Sequence, residues 1–387
     1  MIPYGRHFID QDDIDAVVQV LQGGWLTCGP VVEKFEQKLE ETVSAKYAIS
    51  CSNGTTALHL AMVAMGVKAG DVVLVPAITF LASANAARYV GADVVFVDVD
   101  QATGLMTAET LEEAILMHKE KSLKAVVNVH LAGQCEDLES IQKVAKKYNL
   151  LVVEDAAHAI GTNYVDKNGT QYPIGANAFS DITTFSFHPV KTIAMGEGGA
   201  VTTNDVEVAK KLKLLRSHGM IRDSSQWQGN ESGPWYYEMQ ELGFNYRISD
   251  INCALGFSQL EKLEKFKKER AQIVSFYDES FSNLNCVTPI KKLKYSDTAW
   301  HLYVLLIDYE KFGKSRIQVM ADLKENGIGS QVHYIPLHKQ PYYKKLYGEM
   351  TLHGAEYYYS KCLSLPLYVG LQREDEQRVI SVLGVNA

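Results

Sequence analysis

The segment TTFSFHPVKTIAMGEGGAVTTND (183–205) holds one lysine, Lys191, in an apolar, small-residue, turn-rich setting. Burial strips water from an ammonium and lowers its pKa, which frees the amine for attack on a carbonyl. The commoner fate of a lysine is a solvated head on an apolar stem. Here the preceding run ITTFSF reads as a strand and Pro189 ends it, so Lys191 stands just past a strand end. Two carboxylates, Glu154 and Asp155, close a second apolar run in VVEDAAHAIG (152–161). Side chains alternate along a strand, so at most one of the two faces a given ligand. The competing role for such an Asp is a helix N-cap. In SNGTTALHLA (52–61) a strand gives way to a helix through small and hydroxyl residues. Open N–H groups there, with threonine hydroxyls, form a cup for an anion, and Gly54 admits it close to the backbone. An ordinary capped helix start would use the same letters.

These groups need a frame. Strand-like runs occur at 46–50, 71–76, 93–98, 124–130, 150–155, 182–187 and 199–203, nearly all apolar, as strands buried on both faces are. Helical patterns fall between many of them, at 56–66, 82–91, 110–121 and 138–149. The alternation predicts an α/β fold, a mostly parallel central sheet with helices on both faces. From 250 to 281 one long helical pattern leads to a smaller C-terminal α/β domain, with a strand at 300–308 and helices at 316–327, 354–363 and 374–383. The expected division is residues 1–250 and 251–387, and 222–242 reads as a long loop rich in Trp, Tyr, Gly and Ser.

Composition removes several classes. The 387-residue chain carries a net charge of −8, which argues against a nucleic-acid or anionic-membrane partner. No apolar run is long enough to span a bilayer, and MIPYGRHFIDQDD is too polar for a signal peptide. Six scattered cysteines without a C-x-x-C pair read as reduced thiols in the cytoplasm. His130, His158 and His188 lack metal-ligand spacing, so no metal is expected. There is no Walker A loop, no G-x-S-x-G and no early G-x-G-x-x-G, which disfavours a nicotinamide enzyme. An anion cup, an aromatic at Phe80, a strand-end Asp155 and a downstream Lys191 together meet the needs of pyridoxal phosphate. A phosphate, a flat ring, a ring nitrogen and an aldehyde each find a partner.

The chain resembles the fold-type I, pyridoxal-phosphate-dependent sugar aminotransferases of the DegT/DnrJ/EryC1/StrS group. The resemblance rests on WLTCGPVVEKFE, SNGTTALHLA, PAITFLASANA, VEDAAHAIG, FSFHPVKTIAMGEGGAVTTND, LRSHGM, GFNYRISDINCALGFSQL and VHYIPLH. It implies that Lys191 bonds to the cofactor and then shuttles a proton between cofactor and substrate carbons. Asp155 would pair with the ring nitrogen and His158 would lie near the ring hydroxyl. Phe80 would stack on the ring, while Gly54, Thr55 and Ser186 hold the phosphate. Asn245 would reach the phosphate in a neighbouring subunit, which implies a homodimer with sites at its interface. Tyr4, the loop Leu26, Thr27, Cys28, Gly29, and Asn53, His333 and Tyr334 would contact a nucleotide sugar, and Arg247 the donor's carboxylate. The implied reaction moves an amino group from glutamate to the C4 ketone of a UDP-linked 4-keto-6-deoxy sugar. The alternative substrate is another 4-keto nucleotide sugar, of the perosamine or bacillosamine type. A catalytically idle, regulatory relative would be expected to lack Lys191 or Asp155, and both are present.

Overall fold

The computed structural model describes residues 1–229 and 233–384. The seven apolar runs all become strands of one sheet: β1 (Tyr47–Cys51), β2 (Val72–Pro76), β3 (Asp93–Val97), β4 (Leu123–Val129), β5 (Leu151–Asp155), β6 (Ile182–Ser186) and β7 (Gly199–Thr203). Their spatial order is β1-β7-β6-β5-β4-β2-β3. Only β7 runs antiparallel to both of its neighbours, so the other six strands point the same way. The carboxyl ends of β1, β4, β5 and β6 therefore share one edge.

Alternate residues of each strand feed cores on opposite sides. Val73 and Val75 of β2 pack with Val127 and Val153 on one face. Val72 and Leu74 pack with Val126 and Val152 on the other. This two-sided burial is why the strands read as continuous apolar runs. The expected helices form as α3 (Gly54–Ala64), α4 (Leu81–Tyr89), α5 (Ala108–Met117) and α6 (Leu138–Lys147), joined by α1 (Gln11–Gln22), α2 (Pro30–Val43) and α7 (Val206–Arg216).

The long pattern at 250–281 is two helices, α8 (Asp250–Glu261) and α9 (Leu263–Phe281). Lys262 breaks them at φ −98°, ψ 0°. Its ammonium is pinned to Asp10 and, at 2.9 Å, to Asp13 at the start of α1. The pattern read as a helix at 354–363 stops at Lys361, because Cys362–Leu365 pairs with Tyr303–Ile307 as a strand of a three-stranded C-terminal sheet. The run CLSL is short, apolar and buried throughout, and its cross-strand pairing outweighs helical continuation. The expected loop at 222–242 contains a short 3-10 turn (Ser224–Gln226), its Glu238–Met239 forms a two-residue ladder with Met220–Ile221 just before it, and residues 230–232 lie outside the described residues.

β1 owes its place to a buried ionic knot. Glu36 of α2 accepts from the Ser50 N–H at 2.8 Å and the Ser50 hydroxyl at 2.7 Å. Arg216 of α7 pairs with Glu36 and donates to the Ser50 carbonyl at 2.7 Å. Replacing Glu36 with Ala strands the Arg216 cation and should cost about 3–5 kcal/mol in equilibrium urea unfolding. The paired replacement Glu36→Leu with Arg216→Met should cost less than the single change. A double variant less stable than Glu36→Ala would show that the pair does not act as a unit.

Candidate active site

The shared edge opens into a cavity of about 640 Å³. Asp155, Ser186 and Lys191 line it, with Asn53, Gly54 and Thr55 from the start of α3 and Phe80 from the start of α4. Tyr4, His158, His333 and Tyr334, also expected, line the same wall.

Asp155 ends β5 and is buried. One carboxylate oxygen accepts from the Ser83 hydroxyl at 2.7 Å, the other from the Ala157 N–H at 3.2 Å. Ser83 is in turn 2.7 Å from the Thr79 hydroxyl, so two hydroxyls in series orient the acid. Glu154 turns to the other face of the sheet, where it accepts from Thr183 at 2.7 Å and lies 3.7 Å from His130. The alternation expected for this pair is the one observed.

The cup forms where β1 hands over to α3. Asn53 caps the helix by accepting from the Thr56 N–H at 2.9 Å, and Thr56 answers by accepting from the Asn53 N–H at 3.1 Å. That capping box consumes Thr56, and Asn53, Gly54 and Thr55 line the cavity at the helix start, where the first N–H groups have no partner within the helix. A Cβ added at Gly54 would lie 2.6 Å from the Ser186 Cβ. Absence of a side chain there is what lets Ser186 sit beside the helix terminus. These donors, with a lysine amine and a buried carboxylate facing the same space, fit pyridoxal phosphate.

Lys191 rides on the loop between β6 and β7, closed at its base by Met195 N–H donating to the Phe187 carbonyl at 2.9 Å. α8 anchors this loop from outside. Asn252 donates to the Met195 carbonyl at 2.6 Å, and Gln259 accepts from the Ala194 N–H at 3.3 Å. The amine makes no salt bridge among the described residues. Burial pulls its pKa from the usual lysine range to about 8, against the opposing through-space pull of Asp155. The surrounding imidazoles respond in kind. Burial, then the Lys191 charge, pushes His333 down to about 3. Burial and Lys191 hold His158 well below the usual histidine value, and burial and His158 do the same to His301. The Tyr334 phenol is pushed up, chiefly by burial and by Asp155.

Phe80 is 55% exposed at the mouth, its ring 6.1 Å from that of Tyr334. Other expected residues lie off this wall. Leu26, Thr27, Cys28 and Gly29 form an outer loop tied to the start of α8, where Gly29 N–H donates to Asp250 at 2.8 Å and Asp250 N–H to the Leu26 carbonyl at 3.0 Å. Asn245 is exposed, and Arg247 is 3.5 Å from the Ser217 hydroxyl. None of these six lines the cavity of its own chain. Two contributors were missed by sequence reasoning: Ser83, which faces Asp155, and His301, which lines the cavity from the C-terminal region. Their signals were a hydroxyl one helical turn after Thr79 and a histidine entering the apolar run WHLYVLLID.

The sequence profile of the DegT/DnrJ/EryC1/StrS aminotransferase family matches residues 7–384. The UDP-4-amino-4,6-dideoxy-N-acetyl-beta-L-altrosamine transaminase of Campylobacter jejuni is 38% identical over 383 residues, covering 99% of this chain and 96% of that protein. Helicobacter pylori PseC, an aminotransferase involved in the biosynthesis of pseudoaminic acid, superposes with a TM-score of 0.88 at 30% identity, over 99% of this chain and 98% of its own. Spr1654 of Streptococcus pneumoniae, solved in a PLP-form, has a TM-score of 0.88 at 29% identity, over 99% and 97% of the two chains.

Two outcomes follow from the geometry. Gly54→Ala should weaken pyridoxal phosphate binding at least about tenfold in equilibrium dialysis, about 1.4 kcal/mol; unaltered affinity would remove the cup from the site. An amine with a pKa of about 8 becomes neutral, and so nucleophilic, as pH rises through 8. In cofactor-free protein, trace acylation of Lys191 followed by mass spectrometry should be half-maximal near that pH, against about 10.4 for an ordinary lysine. A midpoint above about 10 would place Lys191 in water.

Proposed function

The chain belongs to the DegT/DnrJ/EryC1/StrS aminotransferase family, and from that premise we propose that it transfers an amino group from glutamate to the C4 ketone of a UDP-linked 4-keto-6-deoxy sugar, in pseudaminic acid biosynthesis. The observation that carries this reading is the Lys191 amine, without a salt bridge among the described residues, on the same cavity wall as Asp155 and the Gly54–Ser186 cup. Likeness to the Campylobacter transaminase and to PseC supports the choice of sugar.

Gly54, Thr55 and Ser186 would hold the phosphate of pyridoxal phosphate, Phe80 its ring face, Asp155 its ring nitrogen and Lys191 its aldehyde. When bound, the cofactor supplies a carbonyl that carries the amino group and a ring that withdraws electrons from the neighbouring carbon. Asp155, oriented by Ser83, would pair with the ring nitrogen. Lys191 Nζ moves the proton between the reacting carbons, first for glutamate and then for the sugar. The neutral imidazoles of His158, His301 and His333 add no second cation to that wall.

Tyr4, Asn53, His333 and Tyr334 would meet the sugar, with the Leu26–Gly29 loop and Arg247 serving the nucleotide and the donor's carboxylate. Asn245, exposed on its own chain, would serve a second copy in a homodimer. We read residues 1–250 as the cofactor domain and 251–387 as the smaller one. Six unbridged cysteines support a cytoplasmic setting.

Protein supplied with glutamate and a panel of UDP-, TDP- and GDP-linked 4-keto sugars should aminate the UDP-linked 4-keto-6-deoxy N-acetylated sugar fastest, read by mass spectrometry. Preference for a TDP or GDP sugar would reassign the substrate. Conversion of none would overturn the reading. Lys191→Ala should cut turnover at least about 10³-fold while the fold persists by circular dichroism; a variant that still turns over would remove Lys191 from the chemistry.

A further inference from the structure

The turn that follows β4 carries backbone strain. Ala132, fully buried, adopts φ 60°, ψ 4°. A non-glycine residue in this left-handed region costs about 1–3 kcal/mol and persists only where surrounding bonds over-determine it. They do so here. The Ala132 carbonyl accepts from the His301 N–H at 2.9 Å. Thr162 donates to the Gly133 carbonyl at 2.7 Å and accepts from the Ala299 N–H at 2.9 Å. A Cβ at Gly133 would lie 2.3 Å from the Ala299 carbonyl oxygen. Arg270, buried without a carboxylate partner among the described residues, donates to the carbonyls of Trp300, His301 and Leu367 at 3.4, 3.3 and 3.0 Å.

What the strained turn aims is an N–H. Ala132 N lies 3.3 Å from His158 Nδ1. A backbone amide can only donate, so Nδ1 accepts and carries no hydrogen. The His158 ring is buried and faces Lys191, His301, His333 and Tyr334, none of which favours a second proton. A neutral ring with a bare Nδ1 has its proton on Nε2. Nε2 is 3.3 Å from the Tyr334 hydroxyl, so the imidazole donates and the phenol oxygen accepts. The phenol's own hydrogen is left for the cavity that Tyr334 lines.

We propose that His158 is a positioning residue, its proton locked on Nε2 by the Ala132 amide, and that the lock makes Tyr334 the hydrogen-bond donor to a carbonyl or anionic oxygen bound in the cavity. The identity of that oxygen rests on the aminotransferase reading. The direction of the hydrogen bonds does not.

Nitrogen-15 histidine NMR of the purified protein tests the direction, with His158 assigned by the signal lost in His158→Gln. From pH 6 to 8.5 the ring should show a bare Nδ1 and a protonated Nε2 throughout. Protonation at Nδ1, or a doubly protonated ring in that range, overturns the proposal. Kinetics tests the role. A glutamine amide can accept from Ala132 N–H and donate to Tyr334, and a leucine can do neither. His158→Leu should lose about 100-fold in kcat, and His158→Gln should recover to within about tenfold of the parent, with the shape of its pH profile kept. Glutamine as inactive as leucine would mean that the imidazole works as an acid or base, which overturns the proposal. Failure to aminate any sugar would sink the proposed function while the NMR result still decides this one.

Discussion

The site is organised around a half-buried amine that lines the cavity with no carboxylate in contact among the described residues. Burying an ammonium is costly unless it is paired, so the group sheds its charge instead. Lys191 sits at about 8, far below a solvated lysine, because Asp155 acts on it only through space. Closer contact with Asp155 would restore the charge. The neutral state of His158, His301 and His333 belongs to the same balance, since each is held down by burial and by cationic or imidazole neighbours. The wall is rich in nitrogen yet carries little fixed positive charge.

The sheet and α8 together provide the placement that this balance needs. Parallel strands bring Asp155, Ser186 and the β1–α3 cup to one edge, as the carboxyl ends of such sheets do. The lysine cannot lie on the sheet itself, because the chain must reverse into β7. α8 supplies the missing support through Asn252 and Gln259. Gln259 also donates to the Phe8 carbonyl and to Asp13, which ties the N-terminal segment to the same brace.

The sequence made the frame legible because both-face burial leaves a plain mark: seven apolar runs, all of them strands of one sheet. Helix ends were less legible. The break at Lys262 depends on Asp10 and Asp13, some 250 positions upstream, and periodicity does not see such a partner. The end of the helix at Lys361 depends on a strand pairing with Tyr303–Ile307. In the site, residues whose chemistry is local could be read: the Asn53–Thr56 start, the Asp155 strand end, the lysine past Pro189. His301 could not, because its meaning comes from a ring 4.3 Å away that is remote in sequence. The hydrogen-bond direction at His158 is likewise invisible in the letters, since it is set by a backbone amide.

The outer loop at 26–29 is held by its backbone. Asp250 gathers the N–H groups of Gly29 and Val31, and its own N–H holds the Leu26 carbonyl. Two positions are committed: a Cβ at Gly29 would lie 2.7 Å from an Asp250 oxygen, and Cys28 holds a left-handed backbone at φ 55°. The side chains of Leu26, Thr27 and Cys28 are exposed and take no part in the anchoring. Natural selection could therefore exchange Leu26 and Thr27 freely, and Cys28 only for residues that accept a left-handed backbone, while the loop's path, and the helix that braces the lysine, stay as they are. Such a division lets one scaffold diversify at its rim without re-solving its chemistry.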